Sequence, residues 1–297
     1  MKKLLTIMFS IMMIFFITAC SDSKQNDQTT NNKDKAEAEI TKIKIGMIPD
    51  QNTADLNRSM DDFAKDLGEK TGLEVEFVPS VDYAALVTAF ERGEIQLAWF
   101  GGLTGVQARN LVPEAEAIAQ RPIDQQFKSV FIANSDVQIK SLKELKGKTF
   151  TFGSESSTSG HLMPRYFMTE AGINPEKDLD GVPNYSGSHD KTYKLVESGA
   201  FQTGALNISV WDAAVKEGKV DTNKVNVFYT TPEYFDYNWT VNKMDKETKT
   251  KIKDAILSMK AGDNEVMTLL QTDKFIEASN DNYKAIEKVA KQLKIIK

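Results

Sequence analysis

Cysteine and histidine are scarce in this chain, which has one cysteine and two histidines in 297 residues. A single cysteine cannot form a disulfide within the chain, and so few residues of both types leave no cluster with the spacing of metal ligands. The sequence also lacks the GxxxxGK[ST] motif with which P-loop ATPases bind phosphates. These absences argue against thiol chemistry, a metalloenzyme and an ATPase, and we expect no metal and no cofactor.

Basic residues are fewer than acidic residues. The 37 lysines and arginines are outnumbered by 42 aspartates and glutamates, which gives a net charge of −5. An acidic balance argues against nucleic acid or an anionic lipid surface as the main partner. It also means that local donors must hold any bound anion, because the overall field of the protein repels it weakly.

The first 39 residues have the pattern of a bacterial lipoprotein leader and its tether. Lys2 and Lys3 precede an apolar run from Leu4 to Ile17, which is too short to span a membrane permanently. Cys20 follows small residues, where a lipobox places the acylated cysteine. We predict a signal peptide over 1–19, a disordered polar tether over 20–39, and an extracytoplasmic protein lipid-anchored to the cell membrane through Cys20. An uncleaved membrane anchor is the alternative.

The remaining body, residues 40–297, alternates between strand and helix patterns. The first part has strands and amphipathic helices in the order typical of a helix-covered parallel sheet, at 43–48, 56–67, 73–78, 83–92 and 95–100. A second α/β unit follows, with strands at 129–133, 149–153, 204–207 and 225–230 and helices at 161–171, 191–198 and 209–217. An aromatic loop and charged amphipathic helices end the chain.

This order predicts an α/β fold of two lobes with two hinge crossings, near Phe131 and Tyr229. Lobe 1 would comprise 40–130 and 232–297, and lobe 2 would comprise 131–231. Ligands commonly bind in such an interdomain cleft, outside the carboxyl ends of the strands. No internal repeat is present, and a monomer is the expected state.

A row of hydroxyl side chains, FGSESSTSG at 152–160, follows a strand pattern and begins a helix pattern. The free N–H groups of a first helical turn and the helix dipole favour an anion, and serine and threonine add neutral donors. A serine-rich N-cap with no ligand is the alternative interpretation. Pro164 lies early in this helix, where we expect it to remove a hydrogen bond.

Four segments in order give the body a family resemblance. They are DYAALVTAFERGEIQLAWFG, the SSTSG turn with its following proline, GSHD and TPEYFDYNW. Together they resemble the phosphonate and phosphite solute-binding proteins of bacterial ABC importers, a family with the type II periplasmic-binding-protein fold. The runs IPDQNT, AWFGGLTGVQAR and FGSESSTSGHLMP are most similar to a branch often labelled selenate-binding.

The resemblance implies ligand-binding residues on both lobes: Tyr83, Phe100, Ser157, Thr158, Ser159, His189 and Asp236. Phe100 stands where these binders usually have tyrosine, so one hydroxyl donor is missing. Apart from Asp212, no carboxylate lies near residues 207–211 to receive an aminoalkyl group. A small inorganic or short-alkyl oxyanion is therefore expected rather than aminoethylphosphonate.

The carboxylate of Asp236 indicates which oxyanions the protein would prefer. A carboxylate repels an anion unless a proton lies between them, so Asp236 favours an acid that retains a P–OH group over fully deprotonated sulfate or selenate. A protonated His189 would offset this charge and admit a dianion. Asp236 could instead only cap a turn, and His161 is expected on a helix surface.

The leading hypothesis is a non-catalytic receptor that delivers phosphite, phosphonate or phosphate to an ABC permease and its separate ATPase. The alternatives are a selenate- or sulfate-type receptor and a surface-anchored, phosphatase-like hydrolase. The hydrolase would need a general base close to Ser157 and usually a metal, for which the sequence offers few candidates. The scarcity of histidine and cysteine disfavours a receptor for a metal. The absence of arginine from residues 152–160 disfavours a receptor that clamps the carboxylate of an amino acid.

Overall fold

Two mixed β-sheets organise residues 40–297, the part of the chain that the computed structural model describes. The predicted signal peptide and tether, with Cys20, lie outside the described residues. No helix in the described part is long and apolar enough to cross a membrane.

The first lobe begins with alternating strands and helices: β1 (Lys42–Met47), α1 (Thr53–Thr71), β2 (Glu74–Phe77), α2 (Tyr83–Glu91), β3 (Leu97–Phe100), α3 (Gly102–Leu111) and β4 (Glu116–Gln120). Helix α1 starts where the Asn52 side chain accepts the N–H groups of Ala54 and Asp55, and it ends at Gly72 in the left-handed conformation. The sequence patterns did not identify α3 and β4.

The second lobe follows, with β5 (Ser129–Asn134), β6 (Phe150–Phe152), α4 (Met163–Glu170), α5 (Pro175–Asp178), β7 (Asn184–Tyr185), α6 (His189–Glu197), β8 (Thr203–Asn207), α7 (Ile208–Lys216) and β9 (Val225–Thr230). Side chains of β5 alternate between two cores, Phe131 in one and Val130 and Ile132 in the other. Helices cover both faces of this sheet, so its side chains are buried on both sides.

The chain then returns to the first lobe through β10 (Asn238–Val241), α8 (Lys246–Ser258), α9 (Glu265–Leu269), β11 (Ile276–Glu277) and α10 (Lys284–Gln292). The first sheet has the order β11-β4-β10-β3-β1-β2, and the second has the order β7-β6-β8-β5-β9. Strand β10 runs antiparallel to β3, so the first sheet is not the purely parallel one that the pattern predicted.

Two segments, 121–128 and 231–237, cross between the sheets and are bonded to each other. Phe127 and Tyr234 exchange backbone hydrogen bonds of 2.8 and 3.0 Å, and the Asp236 N–H donates to the Asp124 carbonyl at 3.0 Å. The predicted two-lobed α/β fold with two crossings is confirmed. The residue boundaries at 130/131 and 231/232 stay a prediction, although β5 belongs to the second sheet from Ser129 onward.

Candidate functional site

Ser157, Thr158 and Ser159, which we call the hydroxyl turn, lie between the lobes. A single π-helical turn (Thr158–Leu162) begins here and precedes α4. The Ser157 hydroxyl caps this turn by accepting the Gly160 N–H at 2.9 Å. The Thr158 hydroxyl accepts the Leu103 N–H of the first lobe at 2.9 Å. The Ser159 hydroxyl is buried and makes no hydrogen bond of regular geometry, although it lies close enough to Asp236 and Tyr234 to oppose the rise in pKa that burial causes in both. The hydroxyls of Ser157 and Thr158 therefore hold the turn and its contact with the first lobe, whereas the Ser159 hydroxyl makes no contact of this kind.

Pro164 removes one backbone hydrogen bond from this turn, and the Ser129 side chain replaces it. In a π-helix each N–H bonds to the carbonyl five residues earlier, as the Leu162 N–H does with Ser157 at 3.0 Å. Proline has no N–H to offer the carbonyl of Ser159. The Ser129 hydroxyl donates to that carbonyl at 2.8 Å and lies 2.6 Å from the Tyr234 hydroxyl, so β5 and the second crossing segment both hold the turn.

Asp236 lies on the second crossing segment, opposite the hydroxyl turn, and is 1% exposed. Its Oδ1 accepts the Gly102 N–H at 2.9 Å, whereas its Oδ2 has no hydrogen-bond partner. A Cβ on Gly101 would come within 3.3 Å of Oδ1 and 3.2 Å of the Thr158 hydroxyl, so a larger residue here would press on both side chains. Burial raises the pKa of Asp236 to about 7, against the opposing effect of the Gly102 N–H.

Tyr83 is the first residue of α2, which Asp82 caps by accepting the Ala85 N–H at 2.7 Å. Its hydroxyl is buried without a hydrogen-bond partner. Burial, followed by the charges of Asp50 and Asp236, raises the pKa of Tyr83 well above its usual value. The Tyr83 hydroxyl is therefore a neutral donor close to two carboxylates.

His189 is the first residue of α6 and is fully buried. Its backbone N–H donates to the Asp50 carbonyl of the first lobe at 2.9 Å. Burial lowers the pKa of His189 to about 4, so the ring is neutral near pH 7. The Asn207 N–H points at Nδ1 from 3.4 Å, which favours the tautomer with its hydrogen on Nε2. His189 is thus a neutral donor, and a charged His189 that would offset Asp236 is disfavoured.

Three further residues complete the arrangement, and the sequence reasoning did not select them. Asp50 follows β1, and its Oδ2 accepts the Tyr237 hydroxyl hydrogen at 2.9 Å. The Asn207 side chain donates to the same hydroxyl at 2.8 Å. The available signal was the position of Asp50 shortly after β1 and of Asn207 at the end of β8. We call the whole set the interlobe cluster: Asp50, Tyr83, Ser157, Thr158, Ser159, His189, Asn207, Asp236 and Tyr237.

Comparison with known proteins identifies the family of the chain. Residues 45–283 match the family described as the periplasmic substrate-binding protein of the phosphonate ABC transporter. The chain is 40% identical, over 86% of its length and 91% of the relative's, to a probable ABC transporter phosphite-binding protein, PhnD1, of Prochlorococcus marinus. The chain belongs to this phosphonate-binding family.

Other relatives agree with that assignment. The solved structure of PhnD1 in complex with methylphosphonate superposes with a TM-score of 0.82 and 39% identity, covering 87% of this chain and all of PhnD1. A phosphate-import protein, PhnD, of Mycolicibacterium smegmatis is 32% identical over 69% of this chain and 67% of its own length. The binding component of a Pseudomonas aeruginosa phosphonate transporter, 23% identical and with a TM-score of 0.74 over 84% of this chain and 86% of that one, shares the fold.

Phe100 differs from the other predicted site residues of this substrate-binding protein. It is fully buried at the end of β3, and its ring packs edge-on against Phe90 at 5.3 Å between centroids. The polar members of the interlobe cluster come together, whereas the Phe100 ring lies in the first-lobe core. Its contact with a ligand stays a prediction.

The predicted surface position of His161 is wrong, because this residue is 5% exposed. Its Nδ1 lies 2.6 Å from the Glu155 carbonyl, and its Nε2 lies 2.9 Å from Arg165 Nε and 3.2 Å from the Tyr185 hydroxyl. Burial lowers its pKa to about 4, so the neutral ring accepts from Arg165. His161 thus fastens the loop before the hydroxyl turn to α4 and β7.

Metal ligands are not grouped anywhere in residues 40–297: no set of three or more His, Cys, Asp or Glu residues could hold an ion there. The interlobe cluster offers hydrogen bonding, through neutral hydroxyl and imidazole donors and two buried carboxylates.

Proposed function

We propose that this substrate-binding protein captures a small phosphorus oxyanion, namely phosphite, a short alkylphosphonate or phosphate, between its lobes. The single observation that carries the proposal is the unpartnered Oδ2 of Asp236, a buried carboxylate oxygen of the interlobe cluster. Such an arrangement suits an anion that brings its own acidic hydrogen. The phosphite, methylphosphonate and phosphate in the descriptions of the relatives belong to this class.

The neutral donors would bind the anionic oxygens. The hydroxyls of Tyr83 and Ser159 are buried without hydrogen-bond partners. The neutral His189 ring carries a hydrogen on Nε2, which lies 3.4 Å from the Tyr237 hydroxyl. A hydrogen bond to a charged group contributes about 1.5–3 kcal/mol, and an unmet buried donor costs a similar amount. Because these donors come from both lobes, a ligand that bonds to all of them stabilises the arrangement in which the lobes meet.

Asp236 would select among oxyanions by hydrogen bonding. Above pH 7, where Asp236 is mostly ionised, a P–OH group can donate to Oδ2, whereas the fully deprotonated sulfate and selenate would leave two lone pairs facing each other. The neutral state of His189 removes the cation that would otherwise offset this repulsion. Selectivity that depends on an unpaired buried group exceeds what size alone gives.

Isothermal titration of residues 40–297 tests this proposal. The ligands are phosphite, methylphosphonate, phosphate, aminoethylphosphonate, sulfate and selenate at one pH and ionic strength. We expect tight binding of at least one small phosphorus acid and no binding of sulfate or selenate. Tight binding of selenate or sulfate would favour the alternative oxyanion receptor and contradict the proton-based selection.

We also propose that the protein is anchored by lipid at Cys20 on the outer side of the membrane, as a monomer, where it would deliver its ligand to the permease of an ABC importer. The support is the sequence pattern before Cys20. Metabolic labelling with a fatty acid in a bacterial host should label the wild type and not Cys20→Ala. Equal labelling of both proteins would contradict the anchor.

A further inference from the structure

We propose that Asp50 is a second carboxylate of the ligand site, and that binding of a phosphorus oxyanion transfers a solvent proton to its Oδ1 atom. This inference rests on the proposed function and adds to it a linkage between ligand capture and proton uptake.

The geometry of Asp50 matches that of Asp236. Asp50 is 3% exposed, one of its carboxylate oxygens is bonded to the Tyr237 hydroxyl at 2.9 Å, and the other is buried without a partner. Its backbone carbonyl accepts the His189 N–H, which places Asp50 at the contact between the lobes. The pKa of Tyr83 is raised by the charges of both Asp50 and Asp236, so one hydroxyl lies close to the two carboxylates.

A monoanionic ligand has too few hydrogens to bond to both aspartates. The monoanion of phosphite or of an alkylphosphonate has one P–OH group, and the proposed function pairs its hydrogen with Asp236. Asp50 Oδ1 would then meet a ligand oxygen with no hydrogen between them. A proton from solvent on Oδ1 converts this repulsion into a hydrogen bond in which Asp50 donates. The complex then contains one proton more than the separate protein and ligand, and no bond of the ligand breaks.

The charged surroundings of Asp50 leave it able to take up that proton. Burial raises its pKa to about 6, while the Tyr237 hydroxyl and the Arg121 charge lower it and the Asp190 charge raises it. Arg121 is held by Asp124 through two contacts, of 2.8 Å at Nε and 2.6 Å at Nη2, so its charge is largely compensated.

The other groups near Asp50 add no positive charge. His189 on α6 is neutral near pH 7, and the hydroxyl of Tyr83 on α2 is also neutral. Asp236, on the second crossing segment, adds negative charge when it is ionised. A bound anion would raise the pKa of both aspartates, because like charges disfavour ionisation. Asp236 already shares the P–OH hydrogen with the ligand, so the additional proton is taken up at Asp50.

Titration in two buffers of different ionisation enthalpy measures the protons taken up per ligand. We would titrate residues 40–297 with methylphosphonate at pH 7.5, as wild type, as Asp50→Asn and as Asp55→Asn. Asp55 is a partly buried residue at the start of α1 that pairs with Arg58 and serves as the matched control. The protons that the ligand itself takes up cancel when the three proteins are compared, because the ligand and the pH are the same.

The expected result is that Asp50→Asn takes up about one proton fewer per ligand than the wild type, while Asp55→Asn matches the wild type. Equal uptake by Asp50→Asn and the wild type would overturn the inference and indicate that Tyr83 donates to Asp50 instead. Absence of methylphosphonate binding by the wild type, together with absence of phosphite and phosphate binding, would instead refute the proposed function.

A second measurement needs no variant and covers the case in which Asp50→Asn does not fold or bind. Carbon NMR of labelled wild-type protein reports whether the Asp50 carboxyl is protonated at pH 7.5 with methylphosphonate bound. A protonated carboxyl in the complex and an ionised one in the free protein would support the inference. An ionised Asp50 in the complex would overturn it.

Discussion

Buried polar atoms without partners determine the chemistry of the cleft at the scale of single residues. Native proteins pair the great majority of such atoms, so each exception needs a physical reason. Four exceptions lie together in the interlobe cluster: Asp50 Oδ1, the Tyr83 hydroxyl, the Ser159 hydroxyl and Asp236 Oδ2. Two are donors and two are acceptors. This composition suits a ligand that has both anionic oxygens and an acidic hydrogen, and it suits a fully deprotonated dianion poorly.

Ser159→Ala should weaken binding of the preferred phosphorus oxyanion by about tenfold to a hundredfold, because it removes a hydrogen bond to a charged group. Ser156→Ala, on the same loop and partly buried, is the control and should bind as the wild type does. Titration calorimetry gives both dissociation constants. Equal affinity of Ser159→Ala and the wild type would show that this hydroxyl does not contact the ligand.

Sequence reasoning found the hydroxyl turn because its residues are consecutive, and adjacent hydroxyls before a helix have a local physical meaning. It missed the bond between Tyr237 and Asp50 because these residues are 187 positions apart, a pairing that no local pattern encodes. His161 was placed on the surface for a related reason. Its burial depends on Tyr185, which comes from a later strand.

At the scale of elements, the π-helical turn before α4 links the ligand site to the crossing segments. Its proline leaves the Ser159 carbonyl free, and Ser129 on β5 supplies the missing donor at 2.8 Å. Tyr234 on the other crossing segment completes the chain of contacts with its hydroxyl 2.6 Å from Ser129. The turn therefore keeps a fixed position relative to the hinge.

Ser129→Ala should lower the free energy of unfolding by about 1–3 kcal/mol, because it leaves the buried Ser159 carbonyl and the Tyr234 hydroxyl without their partner. Ser198→Ala, on the exposed end of α6, should change stability by less than about 0.5 kcal/mol. Urea unfolding of both variants, followed by circular dichroism, provides the comparison. A Ser129→Ala protein as stable as Ser198→Ala would contradict this description of the turn.

The elements that sequence reasoning missed share a physical cause. Helix α3 contains two glycines in ten residues and is buried on most sides, so it shows no clear amphipathic stripe. Strands β10 and β4 pair antiparallel across a gap of more than a hundred residues, which their short sequences do not indicate. In contrast, α1 has a capping Asn52, a terminal Gly72 and a regular apolar stripe, and it was found.

At the scale of the whole molecule, the ligand site lowers stability near neutral pH. Asp50 and Asp236 have folded-state pKa values of about 6 and 7, above their ordinary values. The folded protein therefore holds more protons than the unfolded chain between about pH 4 and 7, and this contribution to stability falls as pH rises. The pKa values of His161 and His189 are lowered to about 4, so they contribute in the opposite direction, toward greater stability as pH rises.

Without ligand at pH 7.5, the double variant Asp50→Asn/Asp236→Asn should have a free energy of unfolding at least about 2 kcal/mol higher than that of the wild type, because it removes two carboxylates that are buried without an ion-pair partner. The difference should shrink toward pH 4, where both aspartates of the wild type are protonated. Urea unfolding at the two pH values measures it. A difference that did not change with pH would show that the carboxylates are not buried in the charged form.

The most direct test of the central claim is the affinity of wild type and Asp236→Asn for methylphosphonate, phosphite and sulfate, with Asp212→Asn as a control. The claim is that Asp236 selects ligands that retain an acidic hydrogen. We predict that Asp236→Asn loses at least tenfold in affinity for the preferred phosphorus oxyanion and gains measurable sulfate binding, because its amide donates where the carboxylate accepted. Asp212→Asn should retain wild-type selectivity. Unchanged selectivity in Asp236→Asn, or tight sulfate binding by the wild type, would contradict the account.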